Sequence, residues 1–185
     1  MEIKILESFS REDQQTLGSF GYTSSSKYQV KKDENLESIS IEIQRIPLES
    51  PYIKLYPEEP EDLERYDRIL PLGFSLGGYL NNQLIAAAIG EPVYWNNTLL
   101  IWTFQVAEKH RRMNVGTTLM QRVLELARVK GFRAVVVETQ NTNEPAIDFY
   151  KKCGFEIDGI DLSYYTNNDM DEGEIAFFMK KKIEV

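Results

Sequence analysis

The sequence predicts one α/β domain of the α+β kind: a mixed central sheet with an antiparallel meander and flanking helices. Three observations carry this prediction. Between Leu72 and Val106 three apolar runs are joined by the short polar turns Asn81-Asn82-Gln83 and Glu91–Asn97, so neighbouring runs pair antiparallel. Leu119, Met120, Val123, Leu124 and Ala127 then recur at helical spacing. Beyond them the β-branched run Arg133–Glu138 (RAVVVE) is followed by a second helix and closing strands, and this alternation makes the sheet mixed.

The elements read in order as follows. Met1–Leu6 is a short strand, and Ser38–Ile46 alternates with period two, as a half-buried strand does. Pro47–Pro60 holds four prolines and reads as loop, and Glu61–Leu70 as a short helix before Pro71. Leu72–Leu80 and Leu84–Gly90 are the first strands of the meander. Thr98–Val106 (TLLIWTFQV) is apolar on both parities, which predicts a central strand covered on both faces. Residues 116–130 form an amphipathic helix that Gly131 ends. Pro145 suits a first helical residue, Ala146–Lys152 continues that helix to Gly154, and Phe155–Asp158 and Glu174–Lys180 close the sheet. The chain, 1–185, reads as one domain: 1–70 carries weak signals, 72–155 is the core, and 156–185 adds the last strands.

Composition narrows the function. The chain has 185 residues, 42% of them apolar, enough to bury a core without staples. One cysteine, Cys153, excludes an internal disulfide and a Cys-rich zinc site; one histidine, His110, excludes His-pair metal motifs, so no metal is expected. At net charge −8 the chain is a poor general ligand for nucleic acid and a good one for a cation. Ile69–Gly90 lacks charge, but Pro71, three glycines and Asn81-Asn82-Gln83 interrupt it, so no membrane span is expected. Met1–Ser8 lacks the apolar run of a signal peptide, and a cytoplasmic protein is expected; a homodimer is left open. The charge is uneven: −6 over residues 1–70, −1 over 71–104, +4 over 105–155 and −5 over 156–185.

The basic segment contains the most informative loop. Val106–Gly116 carries a strand into a helix N-terminus, where unpaired backbone N–H groups and the positive end of the helix dipole make an anion site. Arg111 and Arg112 add charge, Gly116 permits close approach of a ligand, and Asn114 tolerates a left-handed backbone. A pyrophosphate would explain all of these together.

The loop Arg111-Arg112-Met113-Asn114-Val115-Gly116 resembles the Gln/Arg-x-x-Gly-x-Gly/Ala motif of the GCN5-related N-acetyltransferase superfamily, with Asn114 in place of the first glycine. The stretch Glu138-Thr-Gln-Asn-Thr-Asn143-Glu-Pro-Ala-Ile-Asp-Phe-Tyr150-Lys-Lys-Cys-Gly154-Phe155 resembles that family's strand–Asn–helix segment ending in Tyr-x-x-x-Gly-Phe. The resemblance implies the acyl-CoA N-acyltransferase fold, with acetyl-CoA as co-substrate. Phe104, Val106, Arg111–Gly116 and Thr117 on the first segment, and Asn143, Ala146, Phe149 and Tyr150 on the second, are then the residues expected to hold it. It further implies that Tyr150 protonates the departing thiolate and that backbone N–H groups near Val106 polarise the thioester carbonyl. Glu138, at the end of an apolar strand, is the candidate base, with Glu174, Asp161 and a bridging water as competitors. Cys153 is expected to be structural, His110 exposed, and Tyr79, Trp95 and Trp102 core or pocket wall.

Over roughly the last hundred residues the resemblance narrows to streptothricin acetyltransferases, through Gly154-Phe-Glu-Ile-Asp-Gly-Ile-Asp161-Leu-Ser-Tyr-Tyr165 and Glu172-Gly-Glu174-Ile-Ala. It implies a small cationic amine, the β-lysine arm of the antibiotic, as acceptor, met by Glu138, Asp161, Tyr164 and Glu174. Two rivals remain: another amine acceptor (a protein N-terminus, a polyamine or an aminoglycoside), and a non-catalytic acyl-CoA sensor.

Overall fold

The computed structural model describes residues 1–18, 20–56 and 60–184. Among them the elements run β1 (Glu2–Ile5), α1 (Arg11–Leu17), β2 (Gly21–Glu34), β3 (Ile39–Leu55), α2 (Pro60–Ile69), β4 (Leu76–Leu80), β5 (Gln83–Val93) and β6 (Thr98–Val106). Then follow α3 (Val115–Val129), β7 (Ala134–Gln140), α4 (Glu144–Lys152), β8 (Glu156–Asp161), the short α5 (Asp169–Glu172) and β9 (Ala176–Lys182). The strand order is β1-β4-β5-β6-β7-β9-β8, and β2 and β3 make a separate hairpin. Two compact units interleave along the chain: Met1–Phe20, Tyr56–Val137 and Lys180–Val185 in one, Gly21–Leu55 and Glu138–Met179 in the other.

In the first unit the meander β4–β5–β6 is antiparallel, with Asn81 and Asn82 at φ 50° and 63° in the turn that joins β4 to β5. Residues 84–90 of β5 are all buried. Leu84, Ala87 and Ile89 pack with Leu17 of α1 and Tyr66 and Ile69 of α2. Helix α3 packs on β4, β5 and β6 and buries Leu119, Met120, Val123 and Ala127, each contributing about 1.5–3 kcal/mol for the larger side chains. Gly90 is required where β5 passes Phe74: a Cβ there would stand 2.9 Å from the Phe74 carbonyl. At this point the β5–β6 register shifts, so that Trp102 bulges out of β6. β6 pairs parallel with β7 only from Thr98↔Ala134 to Ile101↔Val137; beyond it the register of β6 is with β5.

In the second unit the long hairpin β2–β3 is antiparallel, with Tyr22↔Lys54 and Ser24↔Tyr52 opposite each other. Helix α4 packs against β2. Asn141 ties the unit together: its side-chain amide donates to the Tyr28 carbonyl at 2.8 Å and its Oδ1 accepts from Ile175 N–H at 2.8 Å.

Several expectations are corrected. Pro47 and Pro51 lie within β3, not in a loop: they flank the irregularity where the register shifts from Ser24↔Tyr52 to Ser26↔Pro47, the kind of place in a ladder that tolerates proline. Residues 57–59 of that stretch lie outside the described residues. Pro92 belongs to β5, opposite Leu99, so the turn is confined to 94–97. β6 is not covered on both faces throughout: past Ile101 it alternates, with Trp102 39% exposed. Trp95 is exposed rather than core, and His110 is half-buried in a 3₁₀ turn rather than exposed. Helix α1, with the Ser10–Asp13 capping box that starts it, strand β2 and helix α5 are additional elements. No helix among the described residues is long and apolar enough to cross a membrane.

Candidate active site

The loop between β6 and α3 lies in the first unit. Ala107 N–H donates to the Ile85 carbonyl at 2.9 Å, a 3₁₀ turn spans Glu108–His110, and Arg111 Nε donates to the Val106 carbonyl at 3.1 Å. Arg112 and Asn114 both sit at φ 61°, in the left-handed region that Asn tolerates and Arg rarely visits. Asn114 is the N-cap of α3, yet its side chain makes no capping bond. The N–H groups of Val115, Gly116 and Thr117 therefore form the helix's positive end without a side-chain cap, beside two exposed arginines. Met113 and Thr117 are exposed, Val115 and Gly116 half-buried. This donor set suits a diphosphate. Phe104 and Val106 are half-buried on the stretch of β6 beyond the parallel register, an edge suited to an extended ligand with amide groups. The bulge of β6 is at Trp102, four residues before Val106.

The remaining predicted residues lie in the second unit. Asn143 caps α4, its Oδ1 accepting from Ala146 N–H at 3.3 Å, which leaves its side-chain N–H₂ as donors. Tyr150, near the end of α4, is 8% exposed, with ring centroids of Phe149 and Phe155 at 5.4 and 5.7 Å. Burial pushes its hydroxyl well above the ordinary tyrosine value, and the Glu138 charge and Cys153 push it further. Glu138 is half-buried in β7 and accepts a short hydrogen bond from the Tyr165 hydroxyl. Burial holds its carboxyl above the usual range, against the opposing pull of that hydrogen bond and of the Lys54 charge. Burial also raises the Cys153 thiol, so Cys153 is a neutral neighbour.

Glu174, expected to meet a substrate cation, is already engaged. It accepts from the Tyr52 hydroxyl at 2.7 Å and from Lys54 Nζ at 2.5 Å, and burial followed by this bond pushes Tyr52 up to about 12. Lys54 Nζ lies 6.0 Å from the centroid of the Tyr165 ring. Tyr164 packs edge-on against Tyr165 and Phe178, at 5.3 and 5.4 Å. Asp161 turns back on its own loop and accepts from Ser163 N–H at 3.0 Å. The buried Asp169 accepts from the N–H groups of Tyr165 and Thr166 and from the Thr166 hydroxyl, which fixes the loop that carries Tyr165. The structure thus gathers Glu138, Tyr150, Tyr164 and Glu174 around Tyr165 and Lys54, with Asp161 bonded within its own turn. Among the described residues no three His, Cys, Asp or Glu side chains are placed to share a metal.

Sequence reasoning missed Tyr52 and Lys54, because the prolines around them read as loop. The signal was the residue alternation after Pro51: Tyr52 and Lys54 are half-buried, whereas Ile53 and Leu55 are exposed. It also missed Glu144, which accepts from Ser25 and Ser26 N–H at 3.2 and 3.0 Å and pairs with Arg45.

Comparison with known proteins adds to this geometry. Residues 41–155 match the acetyltransferase (GNAT) family. The streptothricin acetyltransferase A of Bacillus subtilis (strain 168) is 33% identical over 128 residues, 69% of this chain and 72% of its own. The streptothricin acetyltransferase of Streptomyces lavendulae is 28% identical over 142 residues, 74% of each chain. A protein of Bacillus anthracis str. Ames, provisionally named a streptothricin acetyltransferase and solved in complex with acetyl coenzyme A, shares the fold at TM-score 0.71 and 23% identity, over 98% of each chain.

Proposed function

The chain belongs to the acetyltransferase (GNAT) family, and on that premise we propose that it transfers the acetyl group of acetyl-CoA to an amine of a streptothricin-type antibiotic, the amine of the β-lysine arm, and so confers resistance. The observation that carries the reading is the Glu138–Tyr150 pair: a half-buried carboxylate raised toward a base's range beside a buried phenol that keeps its proton available for the departing thiolate. Family membership supports the reaction class; the two curated relatives support the acceptor.

Bound acetyl-CoA supplies the acetyl thioester. The α3 N-terminus with Arg111 and Arg112 holds its diphosphate, and the backbone of β6 past Ile101 holds its extended arm. Glu138 takes a proton from the acceptor's ammonium, and the free amine attacks the carbonyl carbon. As the C–N bond forms and the C–S bond breaks, Tyr150 gives its proton to the sulfur; the nitrogen sheds its second proton, which returns through solvent to Tyr150, and Glu138 releases the first to solvent. The transfer is direct, in a ternary complex; Cys153, with its raised thiol, is not an acyl carrier. The acceptor keeps its remaining positive charges near Tyr164, and acetylation removes the charge of the reacting amine.

The test is thermal melting of the full chain with acetyl-CoA, streptothricin, spermidine, an aminoglycoside and an N-terminal peptide, singly and with CoA, since a ligand of the native state raises its stability. Acetyl-CoA and streptothricin are expected to raise the melting temperature, additively or better together. A rise with peptide or polyamine and none with streptothricin would overturn the acceptor, and none with acetyl-CoA the whole reading.

A further inference from the structure

We propose that Lys54 is a positioning residue of the acetyl-transfer site: anchored by Glu174 and Tyr52, its ammonium is the cation set against the Tyr165–Glu138 pair. The inference rests on Glu138 acting as the base and deepens that reading.

The placement follows from strand geometry. Alternation along β3 sends Tyr52 and Lys54 to one side and Ile53 and Leu55 to the other, where they are exposed. A lysine stem is flexible, and an unanchored ammonium would swing into solvent. Here Glu174 holds it at 2.5 Å and is itself held by the Tyr52 hydroxyl at 2.7 Å. Lys54 then stands 6.0 Å from the centre of the Tyr165 ring, whose hydroxyl donates to Glu138. The groups facing Glu138 are Tyr165 from the loop after β8, Tyr150 from α4, with Cys153 beside Tyr150, and Lys54 from β3, the last paired with Glu174. Burial keeps Tyr150 and Cys153 protonated, so Lys54 supplies the positive charge in this set.

Two consequences follow. A half-buried carboxylate resists ionisation, and a base must be ionised to accept a proton; the lysine offsets that burden. Glu138, Glu174 and Lys54 together also carry one net negative charge, which a single acceptor ammonium neutralises. Lys54 thereby leaves the site one cation short rather than two, matching one reacting amine.

The experiment is the pH profile of kcat/KM for acetylation of a streptothricin-type amine by the full chain, in wild type, Lys54→Met, Lys54→Arg, Glu174→Gln and Glu138→Gln. Lys54→Met is expected to move the acid limb up by about one pH unit, a tenfold loss of kcat/KM below the limb. Lys54→Arg keeps the charge and leaves the limb within about 0.3 unit of wild type. Glu174→Gln removes the negative partner of Lys54 and moves the limb down. Shifts of opposite sign from the two ends of one ion pair are not what a merely structural role produces, and Lys54→Arg with Glu174→Gln keeps the test decisive if Lys54→Met does not fold. A limb that stays in place in both Lys54→Met and Glu174→Gln overturns the proposal. Glu138→Gln separates the two levels: if it keeps the wild-type limb, the underlying base assignment fails. If it abolishes the limb while the Lys54 and Glu174 variants leave it unmoved, the role of Lys54 alone fails.

Discussion

Replacing Tyr150 by Phe removes one oxygen from a ring that is 8% exposed and packed between Phe149 and Phe155 at 5.4 and 5.7 Å. Those ring contacts survive the change, so folding should register no more than the loss of about one hydrogen bond, ~1 kcal/mol. In a chain of this size that is a fall of roughly 2–4 °C in Tm. The chemistry should register far more. A general acid in place contributes about 10²–10⁴-fold, equivalent to roughly 3–5 kcal/mol of the barrier. Because burial and the Glu138 charge hold the hydroxyl above its ordinary value, Tyr150 keeps its proton across the neutral range, and the alkaline limb of the wild type belongs above pH ~10. The assay is release of the CoA thiol, followed with a chromogenic disulfide at saturating acceptor. Tyr150→Phe is expected to lower kcat at least about a hundredfold, with KM for acetyl-CoA little changed and no alkaline limb of its own. A variant that retains kcat within about threefold, with the same melting temperature, would show that the proton reaches the sulfur by another route.

Three further predictions concern the loop, the base and the hairpin. Asn114 sits at φ 61°, so Asn114→Gly should be tolerated, whereas Asn114→Ala should cost about 1 kcal/mol of stability and weaken acetyl-CoA binding, as melting and calorimetry would read. Folded Glu138 binds its proton more tightly than the unfolded chain does; its stabilising contribution is therefore present below the unfolded carboxyl value and lost as pH rises through the raised folded one. At pH 8 Glu138→Gln should thus melt higher than wild type while losing activity, and a lower melting temperature would contradict the raised carboxyl. Glu144 joins the α4 N-terminus to the Ser25–Ser26 bulge and to Arg45, so Glu144→Ala should cost about 1–3 kcal/mol in chemical denaturation; a change under about 0.5 kcal/mol would mark the contact as solvent-compensated.

The parts of the molecule that were legible in the sequence are those whose signals are local. The 3.6-residue spacing of Leu119, Met120, Val123 and Ala127 places α3, and the Asn81-Asn82 turn places the meander, because each depends on neighbours in the chain. The same holds for Asn114 at the entrance to α3 and for the α4 segment that ends at Gly154. The hairpin β2–β3 was only partly legible. Its strands are long and largely exposed, so apolar alternation marks only Ser38–Ile46, and the prolines that read as loop flank a shift of register. A signal for α1 was present in Ser10 and Asp13, which form its capping box. What no local pattern carries is the pairing of Lys54 with Glu174, 120 residues apart. That pairing changes the reading of the acidic C-terminal segment: Glu174 holds a lysine of the chain itself, and Asp169 fixes a loop rather than a substrate.

The most direct test of the central claim is competition. Equal concentrations of streptothricin, spermidine, an aminoglycoside and an N-terminal peptide are offered to the purified chain with limiting acetyl-CoA, and each acceptor is read by mass spectrometry. The account predicts that streptothricin takes nearly all the label, as a single acetyl group on its β-lysine arm, and that Glu138→Gln abolishes the transfer. Acetylated peptide or polyamine beside unmodified streptothricin would contradict it.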